Sequence, residues 1–168
     1  QLVPANKKEA NNDIASSMIR FTAKANRAEN TAYVNINKEA SNGYDSRDAF
    51  AFFSTNNKYL VEPYFVVDDA KILKNEIQAI PYQVPINFHS GSQSDVDFVV
   101  DNIPQNVSVS IIDLQNDSAE TSLNDGNVFH FVASIGENEN RFIIKFASKN
   151  VSINDNAAAS DVAIWNKN

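Results

Sequence analysis

The sequence predicts an all-β fold: an antiparallel β-sandwich, jelly-roll-like, of eight to ten strands. Three observations predict it. Apolar residues alternate with polar ones in segment after segment, which puts one set on a buried face and the other toward water. Those segments are crowded with Val, Ile, Phe and Thr, which suit a pleated surface better than a helix. Clusters of Asn, Asp, Ser and Pro break them at short, regular spacing, as in sandwiches and barrels.

The elements follow in chain order. Residues 1–16 are polar, include Asn11, Asn12 and Asp13, and lack a periodic apolar face. They read as a linker or disordered lead-in, with Ile14 able to dock. The sandwich domain is expected over residues 17–148. Met18 to Ala25 carries Ile19, Phe21 and Ala23 on one face. Thr31 to Asn37 sets Val34 and Ile36 against Tyr33, Asn35 and Asn37. Ala49 to Phe53 is aromatic on both faces, and Tyr64 to Val67 is apolar throughout, as a strand buried on both sides would be. Lys71 to Leu73 reads as a short strand with Glu76 to Ile80 after it. The alternative is a helix from Asp68 to Ile77, because Ile72, Leu73 and Ile77 also fit helical spacing. Val84, Ile86 and Phe88 form the next alternating set, bracketed by Pro81 and Pro85; a residue without an N–H marks a strand start or sheet edge. Val96, Phe98 and Val100 follow, with Asp95, Asp97 and Asp101 outward. Pro104 marks a tight connection to the Val107, Val109, Ile111 strand. Phe129, Phe131, Ala133 and Ile135 then alternate with His130, Val132 and Ser134. Phe142, Ile144 and Phe146 close the series. Residues 149–168 read as a linker, rich in Ala and Asn, and the possible start of a further, truncated domain at Val162, Ile164 and Trp165.

Composition narrows the function. The chain has 168 residues, enough for one domain with its own core, and a net charge of -7 from 14 basic and 21 acidic residues. Without basic patches it does not suit nucleic acid. It has 0 Cys, which removes disulfides, zinc-thiolate sites and a Cys nucleophile. No apolar run approaches the ~20 residues of a membrane helix. Asn is used 24 times and Gly 4 times. Asn tolerates positive φ, so it is expected to take over turn work from Gly, unless codon bias alone explains the count.

The polar motifs give no catalytic constellation. His89 and His130 stand at outward strand positions, without the clustered partners of a metal site or a Gly-x-Ser-x-Gly elbow. Asp45 and Asp48 flank Ser46 and Arg47. They suit either calcium ligation or, preferably, a turn in which Asp45 caps N–H groups and Arg47 or a distant cation pairs with Asp48. Asp113 and Arg141 stand where a pair would join two strands across the sheet. Tyr44, Tyr59, Tyr64, Tyr82 and Trp165 are aromatic candidates for stacking on sugars, with Tyr59 and Tyr82 in the most loop-like contexts. No cofactor is implied.

Several motifs, in order, resemble a β-sandwich module of large secreted surface proteins of Bacteroidetes. Gly43-Tyr44-Asp45-Ser46-Arg47-Asp48-Ala49 is similar to the family's acidic Tyr-Asp segment, one residue shorter in spacing. Asp69-Ala70-Lys71-Ile72-Leu73, Ile80-Pro81 and Val84-Pro85-Ile86 are similar to the family's next segment, although its usual Ile-Asn is not clean here, where Glu76-Ile77-Gln78 stands nearby. Ile112-Asp113, Phe129-His130-Phe131 and Arg141-Phe142-Ile143-Ile144-Lys145-Phe146 are similar to its terminal block. Val162 to Asn168 resembles the opening of the C-terminal sorting domain read by the type IX secretion system. The resemblance implies a non-catalytic stem or adhesion module, secreted or on the outer-membrane surface, that meets the secretion machinery through an adjoining sorting domain. The alternative is a carbohydrate-binding module with a polysaccharide or cell-surface glycan as partner. Asp117-Ser118-Ala119 resembles the O-glycosylation motif of such exported proteins, which makes Ser118 a possible acceptor.

Overall fold

The computed structural model describes residues 18–54 and 58–149. The expected lead-in at 1–16 and the expected linker and sorting-domain start beyond Lys149, Trp165 included, lie outside the described residues. The described chain is all-β, with eleven strands: β1 (Ile19–Ala25), β2 (Ala28–Ile36), β3 (Ala49–Phe50), β4 (Val61–Val67), β5 (Ala70–Ile77), β6 (Tyr82–Ser90), β7 (Ser94–Asp101), β8 (Val107–Asp113), β9 (Ala119–Leu123), β10 (Val128–Ala133) and β11 (Gly136–Ser148).

One continuous hydrogen-bonded path joins them in the order β10-β7-β1-β2-β5-β4-β6-β11-β8-β9, with β3 added on β5. The path curls, so that its two halves face each other across a core. Phe21 of β1 meets Phe146 of β11 with ring centroids 6.0 Å apart, and Phe88 of β6 meets Phe131 of β10 at 4.7 Å. The bend lies at β5. Its first residues pair with β4, from Val67↔Ala70 to Phe65↔Ile72, and its last with β2, from Tyr33↔Lys74 to Ile36↔Ile77. A strand that changes partners in this way turns the corner between layers. The β2–β5 ladder is parallel and the others antiparallel. The barrel-like single sheet with one parallel pair is the respect in which the fold departs from a purely antiparallel sandwich.

Alternation placed the core well. Ile19, Phe21 and Ala23, then Val84, Ile86 and Phe88, then Val96, Phe98 and Val100 are buried, as are Phe131, Phe142, Ile144 and Phe146. Pro85 sits where β6 pairs with β11 at Ile143 but β4 reaches only to Ile86, so its missing N–H costs no ladder bond.

Three readings of the elements change, and one strand, β9, is new. Residues 70–77 form one strand, not two short ones and not a helix. Neighbours on both edges supply ladder bonds, which outweigh an ambiguous local pattern. The Ala49 to Phe53 strand shrinks to two residues, and Phe52 is 89% exposed. β9 had no apolar alternation to reveal it, since only Leu123 is buried. Ile135 lies past the end of β10, 73% exposed beside Gly136, whose φ is 87°.

Turn chemistry follows the expectation about Asn, with Asp as an equal partner. Two two-residue hairpins, Asn26-Arg27 and Asp68-Asp69, have both central residues in the left-handed region, and so does the Asp117-Ser118 turn inside the longer β8–β9 connection. That is the primed geometry that matches the strand twist. It is reached here without Gly, by side chains that tolerate αL, and by Arg27 and Ser118, which tolerate it less.

Candidate functional site

Along β4, Val61, Pro63, Phe65 and Val67 face the core, so Tyr64 points to the outer face of the sheet. It is nevertheless fully buried. Phe53, in the segment after β3, lies against it at 5.0 Å between centroids and stacks on His89 at 5.1 Å. Under this aromatic roof the Tyr64 hydroxyl donates to Glu137 Oε2 at 2.6 Å and to Glu139 Oε1 at 3.2 Å. Lys71 Nζ lies 3.3 Å from Glu137 Oε1 and 3.1 Å from Glu139 Oε1. It also sits 5.0 Å from the Tyr64 ring centroid. His89 Nδ1 is 3.2 Å from Glu137 Oε1. Two carboxylates two residues apart on β11 thus converge with a phenol, an ammonium and an imidazole from β4, β5 and β6. Glu139 and Lys71 border an open cleft of about 230 Å³, together with Asp69 and Asn87.

The electrostatics of this cluster run one way. Burial would raise the Glu137 carboxyl, but the Tyr64 hydrogen bond, Lys71 and His89 outweigh it and hold it below the usual carboxylate range. Burial would lower the Lys71 ammonium, yet Glu139 and Glu137 push it up. Burial, with Glu137 and Glu139 adding to it, drives the Tyr64 phenol well above its ordinary value. Each of the three is moved away from neutrality into its resting form.

The cluster went unread in the sequence. A local signal existed: Glu137 and Glu139 stand at i and i+2, hence on one face of a strand. Nothing local places Tyr64, Lys71 or His89 beside them.

The other sites fall elsewhere. Asp45 Oδ1 accepts from the Arg47 N–H at 2.7 Å and Oδ2 from the Ser41 N–H at 2.9 Å. These backbone donors, the largest influence, hold the Asp45 carboxyl below its usual range. Asp48 accepts from the N–H of Asp45 and of Glu76, each at 2.8 Å. It therefore fastens the turn to β5 through two backbone N–H groups, and Arg47 pairs instead with Glu39 and Asp45. Among the described residues these carboxylates face N–H groups rather than one common point.

Tyr82 and Tyr59 lie at opposite ends of β6. Tyr82 opens the strand, stacks at 6.4 Å on Phe146 and donates to the Asn42 carbonyl at 3.1 Å. Its half-buried ring belongs to the rim of the core. Tyr59 is 61% exposed, beside Leu60, whose carbonyl meets Gly91 at the far end. Tyr64 is buried as described. Tyr44 packs at 5.3 Å on Phe50, and both rings are substantially exposed. Ser118 is exposed at the tip of the β8–β9 hairpin. His130 lies 2.7 Å from Asp97 on an open face. The pair expected between β8 and β11 is formed: Arg141 Nε and Nη2 donate to Asp113 Oδ1 and Oδ2 at 3.1 and 3.0 Å. Arg141, the main cause, holds the Asp113 carboxyl below its ordinary value.

No family model matches this sequence, and no curated protein or solved structure is detectably similar to it.

Proposed function

We propose that this chain is a non-catalytic β-sandwich module of a secreted or cell-surface bacterial protein, exported by the type IX system through an adjoining sorting domain, and that it serves as a stem or adhesion module. The observation that carries the non-catalytic part is the state of the Tyr64 cluster. General acid–base chemistry wants a group whose pKa lies near the working pH. Here Glu137, Lys71 and Tyr64 stabilise one another's resting forms and are moved the other way. Two carboxylates in one place are the equipment of a glycosidase, but these two are bound to an ammonium, a phenol and an imidazole, so that the cluster links four strands. The cluster acts as a polar staple for the outer face. The export route is supported by the sequence resemblance at Gly43 to Ala49, Ile112-Asp113 and Arg141 to Phe146.

Two experiments test the reading. Incubation with a panel of oligosaccharides and polysaccharides is expected to give no cleavage; turnover abolished by Glu137→Gln or Glu139→Gln would overturn it. The full-length protein, expressed in a Bacteroidetes host with and without a working type IX system, is expected at the surface in the first and trapped in the periplasm in the second. Equal distribution would sink the export assignment.

A second reading, a carbohydrate-binding module, is favoured by the exposed rings of Phe52, Tyr59 and the Tyr44–Phe50 pair, since sugar C–H groups pack on open aromatic faces. Glycan-array binding that is lost in Phe52→Ala or Tyr59→Ala, but kept in Tyr82→Phe, would favour it over the stem.

A further inference from the structure

The two ends of the described body lie at the same pole. The Met18 carbonyl accepts from Asn102 Nδ2 at 3.4 Å, and the Lys149 N–H donates to the Asn106 carbonyl at 2.9 Å. Asn102 and Asn106 belong to one connection, between β7 and β8. The terminal strands also stack on each other there. Phe21, two residues into β1, meets Phe146, two residues before the end of β11, edge to face at 6.0 Å. Facing sheets lie about 10 Å apart, so the chain enters and leaves across roughly one sheet spacing. The β1–β2, β6–β7 and β10–β11 turns all lie at the other pole, since β1, β6 and β10 run toward it.

We propose that the module is mounted by one pole: flanking chain joins it on both sides at the 102–106 connection, and the opposite pole is the end held away from the rest of the protein. This rests on the reading of the chain as one module of a larger protein, and it narrows "stem or adhesion" to a pendent module rather than a spacer strung end to end.

The mounting has a mechanical consequence. Ladder bonds in antiparallel pairs run perpendicular to the strands. Tension between Met18 and Lys149 acts across the narrow gap, so it opens the β1 and β11 ladders from the mounted pole inward, one pair after another. Tension applied from pole to pole would load the β11 ladders along their whole length at once. Forced unfolding is governed by the unfolding barrier, and peeling meets a lower one than shearing.

The chain has 0 Cys, so paired cysteines can be placed cleanly at exposed Arg20, Gln93 and Lys149. Spin-label distances in Arg20→Cys/Lys149→Cys and Gln93→Cys/Lys149→Cys compare the poles. With about 3.3 Å of rise per strand residue, the second distance is expected to be roughly twice the first. Pulled through the same pairs, the protein is expected to unfold at a several-fold lower force in the first than in the second. Equal distances, or an equal or higher force through Arg20 and Lys149, would overturn the proposal. Both measurements use the purified chain, so their failure is distinct from failure of the export or glycan experiments.

Discussion

The interior and the outer face each bury one large ring completely, Phe88 and Tyr64, and by opposite means. Phe88 touches Phe98, Phe131 and Phe142 with centroids at 5.4, 4.7 and 5.8 Å, and those contacts need only apolar area and matched shape. Tyr64 is buried because Phe53 roofs it and because its hydroxyl, two carboxylates and one ammonium satisfy one another. The first region tolerates errors of chemistry poorly but needs no particular partner. The second works only if three strands deliver their groups together, because a buried polar group without a partner is costly.

The largest effect that would break this comparison lies in the interior. Phe142→Ala should cost about 3–5 kcal/mol by urea denaturation, through lost transfer energy and a cavity. Phe52→Ala, at an exposed ring, should stay within about 0.5 kcal/mol. Similar costs for both would mean that the layers are not assigned correctly.

Next comes the ion pair that joins the two kinds of region. Arg141 binds Asp113 with two bonds, donates to the Val132 carbonyl at 3.1 Å and covers the Phe142 ring at 4.5 Å. Arg141→Met should cost about 2–4 kcal/mol at neutral pH, because it strands a mostly buried carboxylate. The sign of the pH dependence follows from the lowered Asp113 carboxyl. A group depressed in the folded state contributes stability that is present above the unfolded value, about 3.9, and is lost as pH falls through the folded one. The gap between wild type and Arg141→Met should therefore narrow below about pH 4. A constant gap down to pH 2 would assign Arg141's contribution to packing alone.

Tyr64→Phe keeps the ring and removes the hydroxyl. It should cost about 1–2 kcal/mol, and the penalty should shrink when Glu137→Gln is combined with it. Strict additivity would show that the cluster does not act as a unit. The smallest effect is a gain. Arg27 holds φ 68° in a two-residue hairpin, and Arg27→Gly should raise stability by about 0.5–1 kcal/mol, as removal of αL strain predicts. A loss would mean that its side chain contributes more than the strain costs.

Most of the interior was legible because the signal is local. Phe142, Ile144 and Phe146 declare their face through their own spacing, and so do Val96, Phe98 and Val100. Asp113 at the end of β8 and Arg141 just ahead of Phe142 were legible as residue types, though not as a bond. β9 was not legible, because a strand whose side chains are nearly all exposed leaves no hydrophobic trace. Residues 70–77 were ambiguous, because three apolar residues fit both periods.

By itself the sequence determined the all-β class, the faces of most strands and the turns, since period, propensity and αL tolerance act over a few residues. Only the tertiary structure decided pairing across distance. It sent β10 to the layer opposite β11, although both lie in one stretch of successive strands, and let β5 carry the chain around the corner. It gathered Tyr64, Lys71, His89, Glu137 and Glu139 into one cluster, and it put Tyr59 and Tyr82 at opposite ends of one strand. Such placements depend on which edges close on which, and that is settled by the packing of the whole sheet rather than by any segment of it.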